Sequence, residues 1–270
     1  VDAAANVDWA GVAHAPAFAP RIACLVPSLT ELLFALGLGA RVVARTGFCV
    51  HPRDAVKRVP KVGGTKDPDL ARLRELAPTH LVVNVDENRK ETVDAARAFV
   101  PHIVVTHPAA PEDNARLYAL FGAIFGRAQE AAALQAELDG VLEAAAAAAA
   151  RVARERVLYL IWRAPWMTVS PRTYVGATLA RVGWDVVPAA PGQRYPALDD
   201  DDSAWRDADR ILVATEPYAF RQRDADALAQ RWSKPACLVD GEWTSWYGSR
   251  AIGGLRALAQ LRATLAARAS

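Results

Sequence analysis

Two aromatic clusters and two polar ones carry most of the chemistry open to this sequence. Trp162 and Trp166 bracket Arg163-Ala164-Pro165, and Trp243, Trp246 and Tyr247 fall within 240–250. Aromatic faces offer broad apolar area, and indole N–H and phenol O–H groups add polar tips. Such a set suits a flat, bulky ligand held without covalent chemistry. On the polar side, residues 45–52 begin with Arg45 and contain Cys49, and residues 86–91 contain Glu87 and Asn88. Arg45, Glu87 and Arg163 are placed to orient a ligand's polar edges, and Asn88 also reads as the cap of the helix that follows. Two plainer readings stand beside these. Residues 86–91 suit a solvated helix start, because acids favour helix N-termini, and the tryptophans, Trp243 above all, would serve equally well as core plugs.

Other chemistries find no pattern. The five histidines (His14, His51, His80, His102, His107) show neither HExxH nor HxH spacing and pair with no cysteine, so a protein-bound metal is not expected. There is no GxSxG and no GxxxxGK[ST], and Gly63-Gly64-Thr65 reads as a turn; no catalytic residue is assigned. The acidic run Asp199 to Asp202 lacks the glycine and terminal glutamate of a calcium loop, so Asp202 or Ser203 reads as the cap of a short helix. Cys24, Cys49 and Cys237 are far apart without CxxC, and free thiols are expected, with Cys24 and Cys237 buried.

The elements that must position these residues follow from periodicity and punctuation. Strands are expected at 22–26, 41–44, 80–85, 102–105, 156–161, 185–187, 210–214 and 236–239. Helices are expected at 28–37, 68–76, 88–98, 111–125, 174–181, 224–231 and 249–267. Residues 127–153, rich in Ala, Glu, Leu, Gln and Arg, predict one helix about 40 Å long at ~1.5 Å per residue. The alternation argues for an α/β fold with mainly parallel sheets flanked by helices. Both aromatic clusters and both polar clusters then fall at the carboxyl ends of strands, where open α/β sheets bind ligands. With 270 residues, 52% hydrophobic and 23% charged, the chain is an ordinary globular sequence. A net charge of +2 gives no argument for nucleic acid, and no apolar run reaches membrane-spanning length.

The segment 21–39 is the most telling local pattern. Ile22 to Val26 form an apolar run that stops at Pro27-Ser28, and Thr30-Glu31 lie in the first turn of a helix closed by Gly37 and Gly39. Ser28 with Glu31 three residues on has the spacing of a capping box. This Pro-Ser-x-Thr-Glu opening resembles that of the helical-backbone metal-receptor family, the cobalamin and iron-siderophore binding proteins of ABC importers. Val62-Gly63-Gly64, Asp69-Leu70 and the run from Leu76 through Pro78 to Val82 extend the resemblance. Trp243, Trp246-Tyr247-Gly248-Ser249-Arg250 resembles a subgroup labelled cobalamin-binding.

The resemblance implies two α/β lobes joined by one long connecting helix, with an N-terminal arm at 1–20, a first lobe at 21–126, the helix at 127–154 and a second lobe at 155–270. It implies a monomeric, non-enzymatic receptor that captures cobalamin or a related corrinoid in the cleft between lobes and delivers it to an ABC permease. The ligand set is Arg45, Cys49, Glu87, Asn88, Trp162, Arg163, Trp166, Trp243, Trp246 and Tyr247. The docking carboxylate of the second lobe falls at Asp201, and Ala71 occupies the matching position of the first. No cofactor is implied beyond the bound ligand. Periplasmic placement follows from the resemblance; residues 1–20 contain no basic n-region or apolar h-region, so removal of a leader is the expectation. The alternatives are an iron-siderophore or haem receptor on the same fold, and a cytoplasmic sensor or enzyme reusing it.

Overall fold

A computed structural model describes residues 5–187 and 192–268. The chain divides into two compact units. The first comprises residues up to Pro108, Glu112–Glu137 and Tyr247–Arg250; the second comprises Ala109–Pro111, Leu138–Trp246 and residues from Ala251 onward.

The first unit contains β1 (Ile22–Cys24), α1 (Pro27–Ala35), β2 (Val42–Arg45), α2 (Arg53–Val56), α3 (Leu70–Glu75), β3 (His80–Asn84), α4 (Lys90–Ala96), β4 (His102–Thr106) and α5 (Asn114–Phe125). Its sheet has the order β2-β1-β3-β4, and every pair is parallel. A sheet covered on both faces needs apolar residues at successive positions, and β1 and β3 are buried throughout. Alternate residues face opposite ways: Ala23, Leu25, Leu81, Val83 and Ile103 join Leu73 of α3 and Val93 and Ala96 of α4 in one core cluster.

Helix α6 (Ala128–Ala149) follows a glycine stop at Gly126, which sits in the left-handed region at φ 65°. The division between units falls inside α6, after Glu137.

The second unit contains β5 (Glu155–Trp162), β6 (Trp166–Thr168), α7 (Tyr174–Arg181), β7 (Trp184–Val186), β8 (Ala197–Leu198), α8 (Ala204–Asp207), β9 (Arg210–Ala214), α9 (Gln222–Trp232), β10 (Ala236–Val239), α10 (Gly241–Ser245) and α11 (Arg250–Ala267). Its six-stranded sheet runs β10-β9-β5-β6-β8, with β7 also on β5. The β10, β9, β5 and β7 pairings are parallel, whereas β6 and β8 form an antiparallel ribbon. Strand alternation again divides two cores. Val157, Tyr159, Leu212, Ala214 and Val239 face α7 and α11, while Leu158, Leu160, Ile211 and Val213 face α8 and α9.

Several local expectations are corrected. Ser28 does not cap α1: Val26 holds the cap position without a side-chain bond and Pro27 opens the helix, where its missing N–H costs nothing. Glu31 closes no capping box; it takes two hydrogen bonds from the Arg250 guanidinium at 2.7 and 2.8 Å. Asn88 does not cap α4, whose cap position is Arg89. Ser203, not Asp202, holds the cap position of α8, without a side-chain bond; Asp202, one residue earlier, accepts from the Ala204 amide at 2.8 Å. The part of the arm within the described residues is docked onto the first unit. Asp8 accepts from the amides of Ala10, Val12 and Val105 and pairs with His14 at 3.0 Å. The Trp9 amide donates to Val105, and the Arg116 guanidinium lies 4.0 Å from the Trp9 ring centre. These bonds occupy the open edge of β4, which would otherwise present unpaired backbone. Residues 1–4 lie outside the described residues.

Candidate functional site

The carboxyl ends of the first unit's strands hold a buried polar scaffold with an apolar outer rim. After β2, the Arg45 side chain is 4% exposed and donates to the carbonyls of Val59, Thr46 and Cys49 at 3.2, 3.1 and 3.0 Å. Cys49 is fully buried, its Sγ 3.1 Å from Thr30 Oγ1 and 3.2 Å from Thr46 Oγ1. Burial pushes the thiols of Cys49 and Cys24 up, so both stay protonated; all three cysteines are free. Asn88 is buried as a bracket between loops: Oδ1 accepts from the Asn84 amide, and Nδ2 donates to Thr65 and Leu25 carbonyls. Arg45, Cys49 and Asn88 therefore shape the loops after β2 and β3 from inside and offer a ligand little surface. Outside this scaffold stand Phe48, Val50 and Val85, at 64%, 46% and 54% exposed.

Glu87 and Tyr247 meet, as the tyrosine hydroxyl donates to Glu87 Oε1. Tyr247 is buried, and burial with the Glu87 carboxylate beside it raises the phenol well above its usual range, so it remains a neutral donor. Gly248, next in the chain, donates to Asn114 Oδ1 at 2.5 Å and accepts from the Tyr118 hydroxyl at 3.0 Å. Its φ of 84° and the Leu32 Cβ 3.1 Å from where a Cβ would stand leave glycine as the fitting residue.

In the second unit, Trp162 at the end of β5 is the exposed terminus of an aromatic stack that runs into the core. Its ring meets Tyr218 edge-on at 5.4 Å, Tyr218 contacts Phe220 at 4.5 Å, and Phe220 lies parallel to Trp166 at 6.2 Å. Trp166 continues to Trp205, which stacks on Trp232 at 4.8 Å. Trp162 is 40% exposed, whereas Trp205 is fully buried. Trp166 is thus an inner member of the stack, half-buried on β6. Arg163 lies 5.5 Å from the Trp166 ring and pairs with Asp224 at 3.4 Å.

Glu216 follows β9. Its Oε1 accepts from Trp246 Nε1 at 2.7 Å and Ser245 Oγ at 2.9 Å. Trp246 is accordingly a buried donor, 7% exposed. Burial, with Glu242 and Asp240 nearby, raises the Glu216 carboxyl above its ordinary range. Trp243 packs against the core cluster on the opposite sheet face from the stack, its backbone against Gly254. Trp162 and Trp166 are brought together, Trp246 stands with Glu216, and Trp243 stands apart.

Tyr218, Phe220 and Glu216 were missed by reading the sequence. They follow the strand expected at 210–214, so the carboxyl-end rule applied after that strand would have found them. Asp201 is exposed, as is Ala71. Among the described residues no group of three or more His, Cys, Asp or Glu could hold a metal ion, and no helix is long and apolar enough to cross a membrane.

An aromatic stack follows strand ends in the second unit and a buried polar scaffold follows those of the first, the positions at which open α/β sheets hold ligands. The chain belongs to the periplasmic binding protein family, whose profile matches residues 22–232. The fold and the family are those implied by the resemblance to the helical-backbone metal receptors. Solved structures with the same fold include the periplasmic haem-binding protein RhuT from Roseiflexus sp. RS-1, at 23% identity and TM-score 0.77, covering 92% of this chain and 99% of that one. The vitamin B12 binding protein BtuF of Vibrio cholerae is similar at 16% identity and TM-score 0.77, covering 93% and 99%. A periplasmic haem-binding protein from Pseudomonas aeruginosa is similar at 19% identity and TM-score 0.78, covering 92% and 94%. No curated protein sequence matches significantly.

Proposed function

We propose that this protein captures a bulky metal chelate, cobalamin or a related corrinoid, and delivers it to the permease of an ABC importer, acting in the periplasm without catalysing a reaction. The observation that carries this reading is the aromatic stack from Trp162 through Tyr218, Phe220 and Trp166 at the ends of β5 and β9. A half-exposed indole backed by a rigid stack offers a flat apolar surface whose side-chain entropy has already been given up in folding, which favours tight binding of a flat, rigid ligand. Phe48, Val50 and Val85 supply further exposed apolar surface on the first unit. The family match supports a binding role, and structural relatives described as vitamin B12- and haem-binding support a chelate as the ligand.

The test is equilibrium dialysis against cyanocobalamin with wild-type protein and Trp162→Ala. The expected result is saturable binding that weakens by about tenfold or more when the exposed indole is removed, as for a central aromatic anchor. Equal affinity in both proteins would contradict the stack as the contact surface.

A second reading, an iron-siderophore or haem receptor, rests on the same surface and is supported by the haem-binding relatives. In either case Asp201 is the proposed docking carboxylate of the second unit.

A further inference from the structure

We propose that a small cavity in the second unit, against the amino end of β5, is a binding site for a small monovalent anion of the halide class. It lies at the end of the sheet opposite to the strand ends assigned to the chelate, and it does not depend on that reading. Its walls include Ala145, Ala148 and Ala149 of α6 and Ala259, Arg262 and Ala263 of α11, and it has room for about one water-sized group. Arg262 lines it with a guanidinium, where the alanines present only methyl groups. The Arg262 side chain is 7% exposed. Its Nη2 donates to the Ala153 carbonyl, and its buried Nε has no hydrogen-bond partner among the described residues.

Charge decides between a water and an anion. The carboxylate that faces Arg262, that of Glu155, is already engaged: Oε1 accepts from Arg210 Nε and Oε2 from Trp184 Nε1, both at 2.9 Å. Arg262 Nη1 stands off at 3.5 Å from Oε2. Arg210 and Glu155 are largely buried as well. Two guanidiniums, neither of which loses its proton in a protein, thus share one carboxylate. The register of β5 with β7 and β9 brings Asp185 and Asp209 to the same end of the sheet, but each is taken by its own arginine, Arg154 and Arg156. One positive charge is left over where burial makes it costly. A buried water takes about three hydrogen bonds, which methyl walls do not supply, and it brings no charge. A halide accepts from the guanidinium N–H, supplies the missing negative charge and asks nothing of the alanines. A divalent oxyanion is too large for the space and overshoots the charge.

The experiment is thermal unfolding of the full chain as chloride is raised from about 5 to about 500 mM, with gluconate holding the ionic strength constant so that screening does not change. The wild-type Tm is expected to rise by about 4 °C or more, as for a ligand bound by the folded state alone. Arg262→Met keeps an unbranched stem and removes the charge, and it should lose most of that rise. Bromide provides a readout that needs no substitution: crystals grown in sodium bromide should show an anomalous peak in the cavity, about 3.3 Å from Arg262 Nε. A cavity holding water alone in bromide would overturn the proposal, as would a wild-type Tm indifferent to chloride or a rise of equal size in Arg262→Met.

Discussion

At the scale of single residues, the first unit carries a charge device that the binding reading does not use. The rings of His80 and His102 stack with centres 4.7 Å apart at 25°, and His80 also meets Phe125 edge-on. Burial, then the neighbouring His102 and His14, lower His80 from 6.5 to about 4. The unfolded chain therefore binds more protons than the folded one between these values, and stability falls as pH drops from about 6.5 to about 4. Discounted for solvent screening, the loss is about 2 kcal/mol. Urea unfolding of wild type and His80→Phe at pH 7 and pH 4.5 checks this: the wild-type midpoint should fall further than that of the variant, and parallel falls would contradict the assignment. Of the site residues, those legible in the sequence were the ones at strand ends with obvious side-chain chemistry. Trp162 and Trp166 follow an apolar run and announce themselves. Whether an indole faces solvent or a neighbour depends on tertiary partners, so Trp162 as the exposed end and Trp166 as an inner member could not be distinguished. Arg45 and Cys49 have the composition of a polar loop, and only the fold shows that their side chains turn inward to satisfy carbonyls and hydroxyls.

At the scale of elements, periodicity located the long helices and buried strands, because burial on two faces forces apolar runs that no loop shows. The short elements escaped it. Strands β6 and β8 are three and two residues long and join by antiparallel pairing at the sheet edge; segments this short contain too few residues for a period to be read. Helix α10 escaped for the same reason, although Asp240 caps it by accepting from the Glu242 amide. The arm is another case. Its alanines and prolines suggest a loose tether, but Asp8 and Trp9 attach it to Val105 on the edge of β4. Asp8→Ala would strand the partners of a fully buried carboxylate, and a loss of about 2–4 kcal/mol is expected. Hydrogen exchange at the Val105 amide tests this directly. It should become much faster in the variant, and unchanged protection would show that the arm does not guard this edge.

At the scale of the whole molecule, the family match makes the chain a periplasmic binding protein of two α/β units, and the proposed reading has its ligand set by loops at strand ends. In the proposed function, delivery to the permease is a separate step with its own surface. Exposed Asp201 on the second unit has no carboxylate counterpart at Ala71 on the first. Asp201→Arg should leave the dissociation constant for the chelate unchanged while reducing ligand uptake by vesicles carrying the cognate permease; uptake at the wild-type rate would remove Asp201 from the docking surface. The central claim is that the protein holds a corrinoid. Isothermal titration calorimetry of the wild-type protein with cyanocobalamin tests it most directly. The account predicts saturable one-to-one binding with a dissociation constant of about a micromolar or below, and a negative heat-capacity change from buried apolar surface. A flat titration with cyanocobalamin, alongside saturable binding of haemin under the same conditions, would contradict it.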